Sequence, residues 1–318
     1  VSGNLMATAS GAITQTGAVG VAGTSTLNAG TADITLTNAA NNFTGAVGAN
    51  GRNVQITNAA ALALGTSTIT GTLTASATGA ITQTGALTVA GTSTLNAGTA
   101  DITLTNAANN FTGAVSANGR NVQVTNGAAL VLGASTASGT FGATATGAIT
   151  QSGALNVTGA SAFNAGANAI TLMNAGNNFV GAVSLTGGTT QITDTNALAL
   201  GTLATGALSV TSHGLLDLGS GSATSINATS NGGAVSQTGA LTVTGTTTVD
   251  AGAAAITLTN AGNNFIGAVN LRGGTTQIID ANDLTLGTLA TGALTATSQG
   301  TLNLGSGTVR CAHGTFPV

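Results

Sequence analysis

The chain has 318 residues, of which 49 are Gly and only 3% are charged, and its formal net charge is −3. Amphipathic helices need a charged face, and nucleic-acid binding needs a basic patch that neutralises phosphates. The composition therefore argues against a helical fold and against a nucleic-acid partner. Thr, Val, Ile and Leu separated by Gly and Asn instead favour short strands and tight turns.

The chain shows no segment expected to enter a membrane. No run approaches the roughly 18 apolar residues of a transmembrane helix, because Thr, Asn or Gly interrupts every few positions. The first residues have neither the basic region nor the continuous apolar region of a signal peptide. We therefore expect no transmembrane segment and no signal peptide in this chain.

One long segment occurs four times, at about 11–78, 79–146, 147–232 and 233–309. The motif Asn-Asn-Phe marks each copy, at positions 41–43, 109–111, 177–179 and 263–265. The third copy is thus longer than the first two by about 18 residues, which is a typical length for one coil of a solenoid. The extra residues lie after Gly201. Since the downstream pattern resumes unchanged, the insertion predicts one complete coil.

A shorter period lies inside each copy. Ile34-Thr-Leu36 is followed by the similar segment Val54-Gln-Ile56, and both segments alternate apolar and polar residues. We predict an all-β fold, a single-stranded parallel β-helix (β-solenoid) that is continuous over residues 1–309, with a divergent tail at 310–318. Coils of about 18 to 23 residues would place about three in each of the shorter copies and about 14 to 16 in the chain.

Internal comparison of the four copies predicts the core and the turns. The apolar positions that keep their type, and so predict the core, are Ile34, Leu36, Phe43, Val47, Ile102, Leu104, Phe111, Val115, Ile170, Leu172, Phe179, Val183, Ile256, Leu258, Phe265 and Val269. The recurring Asn or Asp positions, predicted to be turns, are Asn38, Asn58, Asn106, Asn126, Asn174, Asp194, Asn260 and Asp280. Asp33 and Asp101 become Ala169 and Ala255, which predicts that charge is dispensable for the fold.

The motifs NNFTGAV, GAITQTGALTV and GGTTQITD resemble the repeat regions of filamentous-haemagglutinin-type large exoproteins, the secreted adhesins of two-partner secretion. The similarity extends over residues 1–309. It implies a right-handed β-helical shaft at the bacterial cell surface or outside the cell, and a host-surface or matrix receptor as partner. The family's N-terminal secretion domain is missing, so we expect an internal fragment.

Two pairs of titratable residues are candidates for catalytic groups. Asp280 and Asp283 are the only closely spaced carboxylates, as glycoside chemistry would require, but Asp280 occupies a predicted turn position. His213 and Asp217 lie in the inserted segment and become Gln299 and Asn303 in the last copy. We interpret both pairs as structural.

The tail contains Cys311 and His313. Two ligands are too few for a zinc site, and a single cysteine excludes an intrachain disulfide. We therefore predict no catalytic, metal or cofactor-binding residues, and no enzyme.

Three non-enzymatic roles remain open at this stage. The first is a structural shaft of a surface adhesin. The second is a self-associating extracellular fibre, because open ends of a β-helix present unpaired strand edges to further chains. The third, weaker alternative is ice binding by a Thr array in which Thr35 and Thr37 would lie beside Gln55 and Thr57. A polysaccharide-acting β-helix would need a carboxylate cluster that the sequence does not offer.

Overall fold

A computed structural model describes residues 1–310, and every regular element in them is a β-strand. The strands pair in parallel and form about 15 coils, which confirms the predicted β-solenoid. None of these residues lies in a helix able to span a membrane. The chain divides into two units: unit 1 is Val1–Asn168, and unit 2 begins at Ala169.

Unit 1 contains only short strands. In chain order they are β1 (Leu5–Thr8), β2 (Ile13–Thr14), β3 (Gly20–Val21), β4 (Ser25–Asn28), β5 (Ile34–Leu36), β6 (Asn42–Phe43), β7 (Val47–Gly51), β8 (Val54–Asn58), β9 (Leu62–Leu64), β10 (Ser67–Ile69), β11 (Leu73–Ala77), β12 (Ile81–Gln83), β13 (Leu87–Val89), β14 (Ser93–Asn96), β15 (Ile102–Leu104), β16 (Asn110–Phe111), β17 (Val115–Gly119), β18 (Val122–Asn126), β19 (Leu130–Leu132), β20 (Ser135–Ala137), β21 (Phe141–Ala145), β22 (Ile149–Gln151), β23 (Leu155–Val157) and β24 (Ser161–Asn164).

Unit 2 contains two longer strands, β29 and β31, around the inserted segment. Its strands are β25 (Ile170–Leu172), β26 (Asn178–Phe179), β27 (Val183–Gly187), β28 (Thr190–Thr193), β29 (Leu198–Ser212), β30 (Leu216–Asp217), β31 (Ser220–Ser230), β32 (Val235–Ser236), β33 (Leu241–Val243), β34 (Thr247–Asp250), β35 (Ile256–Leu258), β36 (Asn264–Phe265), β37 (Val269–Gly273), β38 (Thr276–Asp280), β39 (Leu284–Thr291), β40 (Leu294–Ser298), β41 (Leu302–Asn303) and β42 (Ser306–Val309).

Successive coils of unit 1 stack their strands into three faces. Face A contains β1, β4, β7, β10, β13 and β16. Face B contains β2, β5, β8, β11, β14, β17, β20 and β23. Face C begins with the β3–β6 pair and continues from β9 through β12, β15, β18, β21 and β24. Every coil alone is too thin to bury its apolar side, so the core forms between the three faces.

The long repeat does not contain a whole number of coils. Asn28 pairs with Asn50, Asn50 with Thr68, and Thr68 with Thr88, so three coils carry the chain from position 28 to position 88. The equivalent of Asn28 in the next repeat is Asn96, which lies beyond Thr88 in β14 and therefore in face B. One repeat thus spans three coils and about one face more, where three coils were predicted. Equivalent residues of successive copies in unit 1 consequently lie on neighbouring faces of the coil.

The inserted segment of unit 2 forms one complete coil. Paired residues of adjacent coils are separated by the same number of sequence positions around the whole coil. Examples are Leu198–Leu216, Thr202–Ser220, Leu208–Ile226 and Ser212–Ser230. An insertion of this length leaves each downstream strand on the face it would otherwise occupy. This explains why the repeat pattern resumes without disturbance.

Glycines shape the corners in two ways. Gly30 and Gly98 adopt φ angles of 61° and 58°, a left-handed conformation that side chains rarely tolerate. Gly113 has ordinary dihedral angles, but a Cβ on it would overlap the backbone of Gly91 in the preceding coil. Each glycine is therefore required for a different physical reason.

Candidate functional site

The predicted core positions lie inside the coils. None of the set that runs from Ile34 to Val269 is more than 3% exposed. Phe43, Phe111, Phe179 and Phe265 are among the largest fully buried side chains. Burying an aromatic side chain of this size stabilises a fold by several kcal/mol, about 3–5 kcal/mol by the effect of its removal.

Half of the predicted turn positions form the same tight turn. The side-chain oxygen of Asn38 accepts a hydrogen bond from Ala40 N at 2.9 Å. The equivalent bonds are Asn106–Ala108, Asn174–Gly176 and Asn260–Gly262, each at 2.9 Å. An Asn side chain in this arrangement replaces a backbone turn acceptor, which explains its recurrence.

The other four predicted turn positions are buried at or just beyond the ends of strands. Asn58 and Asn126 are the last residues of β8 and β18, and their oxygens accept from Phe43 N and Phe111 N, each at 2.8 Å. The Asn58 amide also donates to Phe43 O at 3.1 Å and to Ala61 O at 2.7 Å. These side chains therefore join adjacent coils at the buried Phe, in addition to initiating a turn.

Asp replaces Asn at this position in unit 2. Asp194 and Asp280 accept from Phe179 N and Phe265 N, each at 2.7 Å. Burial raises the pKa of Asp194, while hydrogen bonds from Phe179 N and Asn196 N and the charge of His213 oppose that shift. The carboxylate keeps the capping bond but has no amide hydrogens for neighbouring carbonyls.

The first Asn of the Asn-Asn-Phe motif forms an inter-coil clamp. Asn41 is fully buried, and its amide donates to Gln15 Oε1 at 2.9 Å, to Leu36 O at 3.1 Å and to Thr57 O at 3.2 Å. Its oxygen accepts from Gln15 Nε2 at 2.7 Å and from Val19 N at 2.9 Å. One side chain thus connects the preceding coil, its own coil and the following coil.

The same clamp occurs in later copies. Gln83 and Asn109 exchange two amide hydrogen bonds at 2.8 and 2.9 Å, and Gln237 and Asn263 do so at 2.7 and 2.9 Å. Sequence reasoning did not assign this role, although the motif keeps its first Asn and the ITQ or VSQ segment keeps its Gln in all four copies. The invariance of two polar residues at a fixed spacing was the available indication.

Charged residues of unit 1 form matched pairs across one coil. Arg52 binds both oxygens of Asp33 at 2.9 Å, and Arg120 binds Asp101 in the same bidentate geometry. These guanidinium groups lower the pKa of each aspartate from 3.8 to about 2. Asn53 adds two hydrogen bonds to Asp33, at 3.1 Å each.

The charged residues of these pairs vary together between the copies, and that charge is dispensable for the fold stays a prediction. Where Asp33 becomes Ala169 in the third copy, Arg52 becomes Gly188, so both partners are lost together. Unit 2 instead pairs Arg272 with Asp250 at 2.9 Å, at a register position where Asn28 and Asn50 lie in the first copy. Single charges are not retained without a partner at these positions, because an isolated charge against the coil would lose its charge-assisted hydrogen bonds.

The two candidate catalytic pairs have separate structural partners. Asp280 is buried and accepts from Phe265 N and Asn282 N, whereas Asp283 is exposed and accepts from Thr301 N at 2.6 Å. The Nδ1 atom of His213 lies 3.0 Å from Asp194 O, and Asp217 accepts from Gly219 N at 2.7 Å. Neither pair is joined by a hydrogen bond in residues 1–310.

No group of three or more potential metal ligands is found among the residues that the structure describes. Cys311 and His313, and with them residues 311–318 of the predicted tail, lie outside the described residues.

Face B of unit 1 carries two outward ranks of uncharged polar side chains. The first rank is Thr14, Thr35, Gln55, Thr74, Thr94 and Ser116. Thr35 lies beside Gln55 as expected, and Thr57 beside Ser76 and then Asn96 in the second rank. Gln and Asn interrupt the hydroxyls, so the array is a mixed polar surface with no continuous Thr rank.

These features define the class: a repeat protein of the parallel β-solenoid type, whose recurrent polar residues join one coil to the next. The chain belongs to the DUF5649 family, described as repeats of unknown function, which matches residues 1–50, 51–118, 119–186 and 205–272. Residues 187–204, which separate the last two matches, have the length of one inserted coil, and residues 273–318 also lie outside the matches. Comparisons with curated proteins and with solved structures gave no match.

Proposed function

We propose that this chain is a non-enzymatic structural segment of a bacterial exoprotein that is secreted or displayed on the cell surface, where its stacked coils act as the stiff shaft of an adhesin. The assignment to a filamentous-haemagglutinin-type protein rests on the motif resemblance. The proposal as a whole depends most on one observation, the recurrence of the Asn41–Gln15 clamp at Asn109–Gln83 and Asn263–Gln237.

This clamp supports a mechanical role because it connects coils to one another. Each buried Asn joins three successive coils through its side chain, in addition to the parallel strand pairing. Pulling one coil away from the next would break several hydrogen bonds at once, and buried polar groups left without partners are costly, about 1–3 kcal/mol each. Repetition of this arrangement favours resistance to bending and separation over any local chemistry.

The variation between copies supports the same role. Thr44 and Thr112 become Val180 and Ile266 at an outward position, while the adjoining Phe never changes. A binding surface repeated for one ligand would be expected to retain its outward residues instead.

Surface labelling tests the proposal. Antibodies raised against the purified chain should label intact cells of the source bacterium, or detect the protein in the culture medium, without permeabilisation. A matched antibody against a cytoplasmic protein provides the control. Labelling that appears only after permeabilisation would contradict the surface assignment.

A second measurement addresses stiffness directly. Single-molecule stretching of the full chain between two handles should show high resistance followed by extension in coil-sized steps. Asn109→Ala should lower the force in its own region. Smooth extension at low force, as for an unfolded polymer, would exclude a mechanical role whatever the location of the protein.

A further inference from the structure

The outward corner beyond each buried Phe differs in chemistry between the copies. In the first copy it carries Asn42, Thr44, Ala60, Ala61 and Thr78. In the fourth copy the equivalent residues are Asn264, Ile266, Asn282, Asp283 and Gln299. The buried residues beside this corner keep their roles, as Phe265 and Asp280 show. The fold therefore does not require the polar groups that the fourth copy has added.

In the fourth copy this corner forms a groove of about 530 Å³, lined by these five residues together with Ala281 and Gly300. Ile266 is 61% exposed and supplies an aliphatic wall. The groove thus combines one carboxylate, three amides and one apolar surface.

Several polar side-chain atoms of the groove form no hydrogen bond within the described residues. Asp283 uses Oδ1 to accept from Thr301 N, and within residues 1–310 its Oδ2 has no protein partner. The side-chain amides of Asn264, Asn282 and Gln299 likewise have no protein partner in the described part of the chain. Together they offer donors and acceptors on one concave surface.

The third copy provides a contrast within the same unit. There Asn196 donates to Asn178 Oδ1 at 2.8 Å, and His213 Nδ1 lies 3.0 Å from Asp194 O. Ala197 occupies the position of Asp283. Side chains of the third corner thus bond within the protein, whereas the equivalent Asn264, Asn282 and Gln299 side chains of the fourth corner form no such bonds in the described residues.

We propose that the corner formed by Ile266, Asn282, Asp283 and Gln299 binds a neutral saccharide unit. Amides and a carboxylate can donate to and accept from neighbouring sugar hydroxyls, and the Ile266 side chain can cover the apolar face of the ring. The groove has no cationic side chain, so an anionic ligand would meet only the charge of Asp283. One carboxylate and three side-chain amides together provide fewer side-chain oxygens than the six to eight oxygen ligands that calcium takes. This inference is independent of the shaft function, since it concerns an added surface.

Saturation-transfer NMR with the full chain tests the proposal, using galactose, mannose and N-acetylglucosamine as separate probes. We expect transfer to at least one sugar. The double variant Asn282→Ala/Asp283→Ala restores the residues of the first copy, so the coil should still fold, and it should weaken binding about tenfold or more. Circular dichroism checks the fold of the variant.

Thr112→Ile serves as the matched control, because it places the fourth copy's aliphatic residue at the polar-poor corner of the second copy. It should leave sugar binding unchanged. Absence of transfer to all three sugars, or equal transfer in wild type and double variant, would overturn the proposal. Binding of calcium chloride at this corner with no response to sugars would overturn it as well.

Discussion

The side chains of Asn41 and Gln15 exchange two hydrogen bonds between adjacent coils, Asn41 Nδ2 to Gln15 Oε1 at 2.9 Å and Gln15 Nε2 to Asn41 Oδ1 at 2.7 Å. Two amides that face each other in this way satisfy both a donor and an acceptor on each side. Such a pair specifies which Gln meets which Asn, and so it fixes the register of the coils as well as adding stability.

Removal of this clamp should be among the more damaging changes in unit 1. Asn109→Ala would leave Leu104 O, Thr125 O and Leu87 N without their side-chain partner, and we expect a loss of about 2–4 kcal/mol. Denaturation in urea followed by circular dichroism measures it. Asn110→Ala, at the exposed next residue, should change stability by less than about 0.5 kcal/mol. Equal effects of the two substitutions would contradict the assigned clamp.

Truncation of the buried aromatic residue tests the core. Phe111 is 1% exposed, so Phe111→Ala should destabilise by about 3–5 kcal/mol through lost burial and the cavity it leaves. Thr112→Val, one residue later, should be nearly neutral because Val180 occupies the equivalent outward position. Thermal unfolding of both variants provides the comparison. A larger loss of stability in Thr112→Val than in Phe111→Ala would mean that the side chain of Thr112, and not that of Phe111, faces the core.

The Asp101–Arg120 ion pair should make the stability of the folded chain depend on pH in the acid range. The pKa of Asp101 in the folded chain, about 2, lies below the ordinary 3.8, so the pair stabilises the folded state above about pH 4 and the contribution is lost as pH falls through 2. NMR titration of the Asp101 carboxyl measures the pKa directly. In Arg120→Met the pKa should rise towards its ordinary value. A titration that is the same in both proteins would show that the bidentate contact is absent in solution.

Substitution of Asp194 should have the opposite pH dependence. Burial raises the pKa of this carboxyl, so stability falls as pH rises from the ordinary value through the folded pKa and the group ionises. Asp194→Asn, the residue present as Asn58 and Asn126, should raise the thermal unfolding midpoint near neutral pH, with a smaller gain in acid.

The reciprocal change Asn58→Asp is the control for that experiment. It removes the amide hydrogens that reach Phe43 O and Ala61 O, and it should lower the midpoint near neutral pH. If both substitutions moved stability in the same direction, side-chain charge at this position would not be the deciding factor.

Deletion of one coil should be tolerated where deletion of half a coil is not. Removing residues 202–219 joins Gly201 to Ser220 and preserves every downstream face, because Thr202 pairs with Ser220 in the register of these coils. We expect an unchanged β-type circular dichroism spectrum and cooperative unfolding. Removing residues 202–210 would shift strands onto the wrong faces and should yield an aggregated or unfolded product. Similar behaviour of the two deletions would refute the coil register.

Apolar periodicity was sufficient to predict the solenoid because a strand with one buried face repeats its side-chain pattern every second position, as Ile34 and Leu36 do. The turn of one face between copies could not be predicted, since it depends on small differences in coil length that accumulate over several coils. The clamp was missed for another reason: a buried Asn such as Asn41 looks the same in the sequence as an exposed turn Asn. The recurrence of Gln15 and Asn41 at a fixed spacing in every copy was a signal, but only the structure shows that the two side chains bond to each other.

The extra third of a coil in each long repeat has a consequence for gene duplication and for recognition. A duplicated unit need not contain a whole number of coils. In a coil with three faces, a strand that lies on one face in the first copy can lie on the neighbouring face in the next copy. In unit 1 the Asp33–Arg52 pair precedes a strand of face B, and its copy Asp101–Arg120 precedes a strand of face C. A flat surface lying against one face therefore meets a different portion of the repeat in each copy, so sequence repetition here produces variety along any single line of contact.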